Sequence, residues 1–111
     1  MIKRIQAALT PDLLLPRYRG STNPLAGHCY AASEALYHLL GGKEAGYRPV
    51  SLRLSPCLVH WWIEGPGGEV LDPTARQFSE PVAYHKGRGR GFLTRQPSAR
   101  ADEIIRRIKE V

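Results

Sequence analysis

The sequence predicts a small α+β domain in which one long helix packs on a small antiparallel sheet. Apolar residues recur at helical spacing near both ends of the chain, whereas between them they alternate with polar residues or form short apolar runs bounded by glycine and proline. The chain has 111 residues, which suffice for one core. We therefore expect a single domain spanning residues 1–111.

Three segments have the spacing of amphipathic helices. The first covers residues 2–9, and the second runs from about Cys29 to Leu40 and ends at the Gly41-Gly42 pair. The third follows Pro97-Ser98. The residues expected to face the core are Ile2, Ile5 and Leu9 in the first helix, Ala32, Ala35, Leu36, Leu39 and Leu40 in the second, and Ala101, Ile104, Ile105 and Ile108 in the third.

The middle of the chain predicts strands. Residues 50–54 alternate between apolar and polar, as in a half-buried strand, and residues 58–64 form a second strand. The glycine-rich segment 65–68 predicts a turn, after which residues 69–72 return as a third strand. The glycine-arginine segment 86–91 has little propensity for either regular state.

The composition indicates which cellular compartment and which classes of binding partner are favoured. Sixteen Lys and Arg against ten Asp and Glu give a net charge of +6, which favours anionic partners, nucleic acid included. No apolar run is long enough to cross a membrane, and the apolar residues after Lys3 and Arg4 are too interrupted for a signal peptide. With only two cysteines, Cys29 and Cys57, free thiols in the cytoplasm are favoured over a disulfide.

Cys29 occupies a position that suits a nucleophile. It stands at the expected N-terminus of the second helix, where unpaired backbone amides and the helix dipole stabilise a thiolate. The alternative is a buried structural cysteine, since cysteine is among the most buried residue types.

His60 and Asp72 lie on consecutive predicted strands. If Glu64 pairs with Gly68 across the turn, His60 lies directly opposite Asp72, and a register shifted by two still leaves both side chains on one face. A carboxylate beside an imidazole fixes its tautomer and stabilises its charged form. We expect this face to meet the helix that carries Cys29.

Two stretches resemble a known superfamily. The run from His60 to Glu64, the glycine-rich turn and the run from Val70 to Thr74 resemble the His and Asp strands of transglutaminase-like proteins, which belong to the wider papain-like fold. Residues 27–32 likewise resemble the start of the nucleophile helix in that superfamily. The stretch 23–77 is also similar to small phage and bacterial proteins with this pattern.

The resemblance implies a minimal papain-like or transglutaminase-like core with a catalytic triad of Cys29, His60 and Asp72. It implies action on amide bonds of a protein or peptide substrate, as protease, amidase, deamidase or acyl transferase, without a cofactor. If the chain is phage-encoded, its location is the host cytoplasm. Two departures are Tyr30, where these families usually have Trp after the nucleophile, and the small size of the domain.

The resemblance also suggests where further site residues lie. Papain-like proteases often place an oxyanion-binding amide side chain six residues before the nucleophile, the position of Asn23, although an Asn before Pro24 also suits a turn. The backbone amide of Cys29 is a second donor. The candidate residues of the cleft are His28, Trp61 and Trp62.

Two other functions compete with this one. Arg88, Arg90 and Arg95, with the basic face of the last helix, suit a module that binds nucleic acid or an acidic protein. A third possibility is a protein with the same fold that binds a peptide in its cleft without catalysing a reaction.

A zinc site is disfavoured, although His28, Cys29, Cys57 and His60 have suitable side chains. The sequence contains no CxxC pair, and residues 57 and 60 face opposite sides of a regular strand.

Overall fold

The computed structural model describes residues 2–9, 28–55, 58–75, 81–89, 91–92 and 96–109. Within them the chain is the predicted small α+β domain, with three α-helices and an antiparallel sheet that has four strands. The longest of the described helices have 11 residues, and none is long and apolar enough to cross a membrane.

The three predicted helices are confirmed as α1 (Ile2–Ala8), α2 (Cys29–Leu39) and α3 (Ala99–Lys109). Helix α2 ends where Gly41 adopts a left-handed conformation with a φ of 104°, which glycine reaches without steric cost. The helices bury one apolar cluster, to which β2 contributes Ile63. Its buried members are Ile5, Leu9, Ala31, Ala32, Ala35, Leu36, Ile63, Ala101, Ile104 and Ile108.

The sheet has the order β3-β2-β1-β4. Its central strands are β1 (Arg48–Ser55) and β2 (Leu58–Glu64), and β3 (Val70–Leu71) pairs with the end of β2. Strand β4 (Arg88–Gly89) pairs with β1 on the other side. This fourth strand corrects the expectation for segment 86–91, because its pairing depends on contact with β1 rather than on the propensity of glycine and arginine.

The two faces of the sheet have different coverings. Trp62 and Val50 face the segment that precedes β4: the Trp62 ring lies 5.1 Å from the Tyr84 ring, and a Cβ on Gly87 would collide with both Trp62 and Val50. Trp61 faces the other side, where its ring lies 4.9 Å from that of Tyr30 in α2. Because side chains alternate along a strand, His60 lies on the Trp62 side.

The turn between β2 and β3 is longer than expected, so the predicted register is wrong. Glu64 pairs with Val70 and not with Gly68, because the turn closes with the Gly65 amide donating to the Glu69 carbonyl at 2.9 Å. The shift is by two positions, which preserves the face of every side chain. Asp72 therefore still lies on the same face as His60, diagonally rather than directly opposite.

Candidate active site

Cys29 is the first residue of α2 and its side chain lies against β2. The residue is 9% exposed, and its thiol donates a hydrogen bond to the carbonyl oxygen of Val59 over 3.6 Å. The preceding His28 is buried and accepts the amide of Ala32 at 2.8 Å, which closes the first turn of the helix. The sulfur is thus placed one residue along β2 from His60.

A second hydrogen bond fixes how α2 runs along β2. The hydroxyl of Ser33 donates to the carbonyl oxygen of Trp61 over 3.0 Å. Ser33 is one turn beyond Cys29, a rise of about 6 Å, and Trp61 is two residues beyond Val59, a rise of about 6.6 Å. The two spacings match, and carbonyls two residues apart point to the same edge of a strand. Helix α2 therefore lies parallel to β2 along that edge.

This geometry corrects how Cys29 meets His60. We expected the helix to pack on the face that carries His60 and Asp72, but α2 contacts the opposite side, through Trp61. Strand β3 pairs with β2 only at Ile63 and Glu64, so the helix can approach β2 at its edge beside residues 59–61. The side chain of Cys29 interacts with the imidazole of His60 at this edge.

His60 and Asp72 form a buried pair. Nε2 of His60 lies 2.6 Å from Oδ2 of Asp72, with 0% and 3% of the two side chains exposed. Because Asp72 occupies Nε2, Nδ1 is the ring nitrogen that can exchange a proton with Cys29. The carboxylate thereby fixes both the tautomer and the orientation of the imidazole.

Asp72 is itself held by two other donors. The hydroxyl of Tyr84 donates to Oδ2 over 2.8 Å, and the amide of Thr74 donates to Oδ1 over 3.1 Å. The sequence analysis did not assign Tyr84 to this site. No spacing rule could have found it, because the contact depends on the course of the chain between Asp72 and Tyr84.

The electrostatics favour a charged imidazole. Burial lowers the pKa of His60, but hydrogen bonds to Asp72 and to Cys29, with the negative charges of both, outweigh it and raise the pKa from 6.5 to about 9. Burial, the hydrogen bond to Asp72 and the charge of that carboxylate all raise the pKa of Tyr84. The tyrosine therefore stays protonated and keeps donating to Asp72.

The structure places the three cleft residues differently. His28 and Trp62 are each 1% exposed, and the Trp62 ring lies 5.6 Å from the ring of His60. Trp61 is partly exposed and stacks on Phe92 at 5.8 Å. Trp61 is thus the member of this set that presents surface beside Cys29.

Of the other residues that the sequence analysis singled out, the structure describes some and not others. Arg88 is exposed on β4, whereas Asn23, Arg90, Arg95 and Cys57 lie outside the described residues. Within the part of the chain that the structure describes, no three His, Cys, Asp or Glu side chains are grouped to hold a metal ion.

No protein-family model matches this chain, and no curated protein and no solved structure is significantly similar to it. The assignment of a function therefore depends on the geometry of the site. That geometry joins a thiol, an imidazole and a carboxylate in the order in which nucleophilic catalysis uses them.

Proposed function

We propose that this protein is a cysteine-nucleophile hydrolase or acyl transferase that acts on an amide bond of a protein or peptide. The observation that carries the proposal is the position of His60, which hydrogen-bonds to Asp72 through Nε2 and interacts with the Cys29 side chain. In this arrangement the acid, the base and the nucleophile form one connected unit. No metal or organic cofactor is needed for the reaction.

The first half of the reaction forms an acyl-enzyme. His60 holds the proton taken from Cys29, which makes the imidazole positive and the sulfur a thiolate, and the thiolate attacks the carbonyl carbon of the amide. The imidazolium then delivers its proton to the amide nitrogen, the carbon–nitrogen bond breaks, and the amine leaves. Asp72 stabilises the positive imidazole throughout.

The second half returns the free thiol. Water, or a second amine, attacks the thioester carbon while His60 removes a proton from it. The carbon–sulfur bond then breaks, and the sulfur takes up the proton from His60. Attack by water gives hydrolysis, and attack by an amine gives acyl transfer.

The oxyanion of each tetrahedral intermediate needs hydrogen-bond donors. The amide of Cys29 at the start of α2 is one, since the first amides of a helix have no partner within it. Asn23 is the proposed second donor, because it stands six residues before Cys29.

The resemblance to transglutaminase-like proteins supports the same proposal, because the three residues follow one another in the order Cys, His, Asp. As part of this proposal, the fold is a minimal member of the papain-like type. A reducing cytoplasm, of the host if the chain is phage-encoded, is the proposed location, since it keeps Cys29 as a thiol.

Alkylation of Cys29 by iodoacetamide tests the proposal. The rate is measured against pH by mass spectrometry of the labelled peptide, with Cys57→Ser in every variant. We expect fast labelling that depends on His60, because the imidazole takes up the proton of the thiol. His60→Ala removes this reactivity, whereas the matched control His85→Ala, at an exposed histidine, retains it. Slow labelling that is indifferent to His60 contradicts the proposal.

A further inference from the structure

A pocket of about 510 Å³ lies over residues of β1, β2 and β4. It shares Val59 with the site, since the carbonyl of this residue accepts the Cys29 thiol. A substrate whose amide reaches the sulfur can therefore extend into the pocket. The described residues that line it are Ser51, Leu52, Arg53, Val59, Trp61, Lys86 and Arg88.

The register of the sheet brings most of these side chains to one face. Arg53 pairs with Val59, and Ser51 pairs both with Trp61 on β2 and with Arg88 on β4. Paired residues, and residues two apart on one strand, project to the same side of a sheet. The pocket is thus built on the face that carries Trp61, next to the region where α2 covers it.

The charged side chains among the described lining residues of the pocket are all basic. Among the described residues that line the pocket, Arg53, Lys86 and Arg88 are cationic and exposed, and none is acidic. Cations grouped in a concave site focus their field and raise the local concentration of anions. Trp61 and Val59 add an apolar wall, against which the methylene groups of a side chain can pack.

We propose that this pocket binds an anionic side chain of the substrate, so that the enzyme acts on amides in acidic polypeptides. The inference rests on the proposed function, because it defines the substrate of that site. Neighbouring strands are about 5 Å apart, so Arg53 and Arg88 lie about 5 to 10 Å across the sheet from β2. One residue of extended peptide spans about 3.3 Å, which places the anionic side chain one to three residues from the amide.

Matched peptide electrophiles test this inference. Chloroacetylated tripeptide amides carry Glu, Gln or phosphoserine at one position in turn and alanine elsewhere, and the rate constant for alkylation of Cys29 is measured with Cys57→Ser throughout. We expect the Glu peptide to react about threefold to tenfold faster than the Gln peptide at the best position, as two partly exposed ion pairs allow. Phosphoserine against Glu then distinguishes a phosphate from a carboxylate as the preferred anion.

Two double variants locate the effect. In Arg53→Gln with Arg88→Gln the ratio of the rate for the Glu peptide to the rate for the Gln peptide falls to about one. The control is Arg100→Gln with Lys109→Gln. It also removes two positive charges, but from α3, and we expect it to retain the preference for the anionic peptides. This control separates the pocket from the long-range effect of the net charge.

Each other outcome has a definite meaning. Equal rates for the Glu and Gln peptides, or a preference that persists without Arg53 and Arg88, overturn the inference, although fast and His60-dependent labelling by iodoacetamide then leaves the proposed function intact. Slow labelling of Cys29 by every reagent overturns both. If a short oligothymidylate binds the wild type but not the pocket variant, and no peptide preference is seen, the pocket binds nucleic acid and the inference is wrong.

Discussion

Two buried carboxylates have different kinds of partner. Glu34 in α2 is 0% exposed and accepts hydrogen bonds from the amide of Ser98 at 3.0 Å and from its hydroxyl at 2.6 Å. Asp72 is 3% exposed at its side chain and binds His60, Tyr84 and the amide of Thr74. Both carboxylates are satisfied, as burial requires.

The difference lies in what the partners can do. Glu34 meets neutral donors that precede α3, and Ser98 in turn accepts the amide of Ala101 at 3.3 Å, so this network joins two helices. Asp72 meets an imidazole that takes up and releases a proton and that interacts with a thiol. A buried carboxylate thus indicates chemistry only when its partner is titratable and lies beside a reactive group.

The largest expected effect is that of Asp72→Asn on the reactivity of Cys29. The amide keeps an oxygen for Nε2 of His60 but loses the charge that stabilises the imidazolium. We expect alkylation by iodoacetamide at pH 6 to slow by about tenfold to thousandfold, as follows from the loss of an opposite charge at this distance. Asp102→Asn, at an exposed position on α3, is the control. An unchanged rate in the Asp72 variant would show that the pair is structural.

Glu34→Ala should lower the stability of the protein without changing the reactivity of Cys29. It leaves the donors of Ser98 without their charged acceptor, and we expect the free energy of unfolding in urea to fall by about 1.5 to 3 kcal/mol. Alkylation of Cys29 in the folded variant keeps its wild-type rate. Glu44→Ala, at an exposed glutamate, serves as the control for stability. If the Glu34 variant loses the reactivity of Cys29 while still folded, the two networks are coupled.

Tyr84→Phe should have the smallest effect. It removes one hydrogen bond to the charged Asp72 and leaves the other two partners in place, so we expect a loss of about 1.5 kcal/mol in unfolding free energy. The alkylation rate falls less than in Asp72→Asn, because the charge of Asp72 remains. Tyr47→Phe is the matched control. A rate as low as that of Asp72→Asn would make Tyr84 essential for holding the carboxylate.

The parts of this site that the sequence predicts are those that depend on local spacing. The helical stripe after Cys29 and the alternation along β2 correctly predicted α2 and the shared face of His60 and Asp72. The register was wrong because the number of residues inside a glycine-rich turn is not encoded by alternation. The edge contact between α2 and β2 depends on packing that no periodicity reports.

The fourth strand of the sheet is a second feature that the periodicity of the sequence could not predict. Strand β4 consists of Arg88 and Gly89, neither of which favours a strand. Its pairing becomes possible because Gly87 lets the chain approach Trp62 and Val50 closely. Both the contact of Tyr84 with Asp72 and the position of Arg88 in the pocket depend on this segment, so sequence reasoning could not foresee them.

The titration of His60 tests the central claim most directly, namely that its imidazole is charged and paired beside Cys29. Its ring proton is followed by NMR against pH in the Cys57→Ser protein and assigned by its loss in His60→Gln. The structure predicts a pKa of about 9, so the ring stays charged at neutral pH and loses its proton as the pH rises through that value. The pKa should fall in both Asp72→Asn and Cys29→Ala, since each removes a group that raises it. A pKa at or below the ordinary value of about 6.5, unchanged in both variants, would contradict the account.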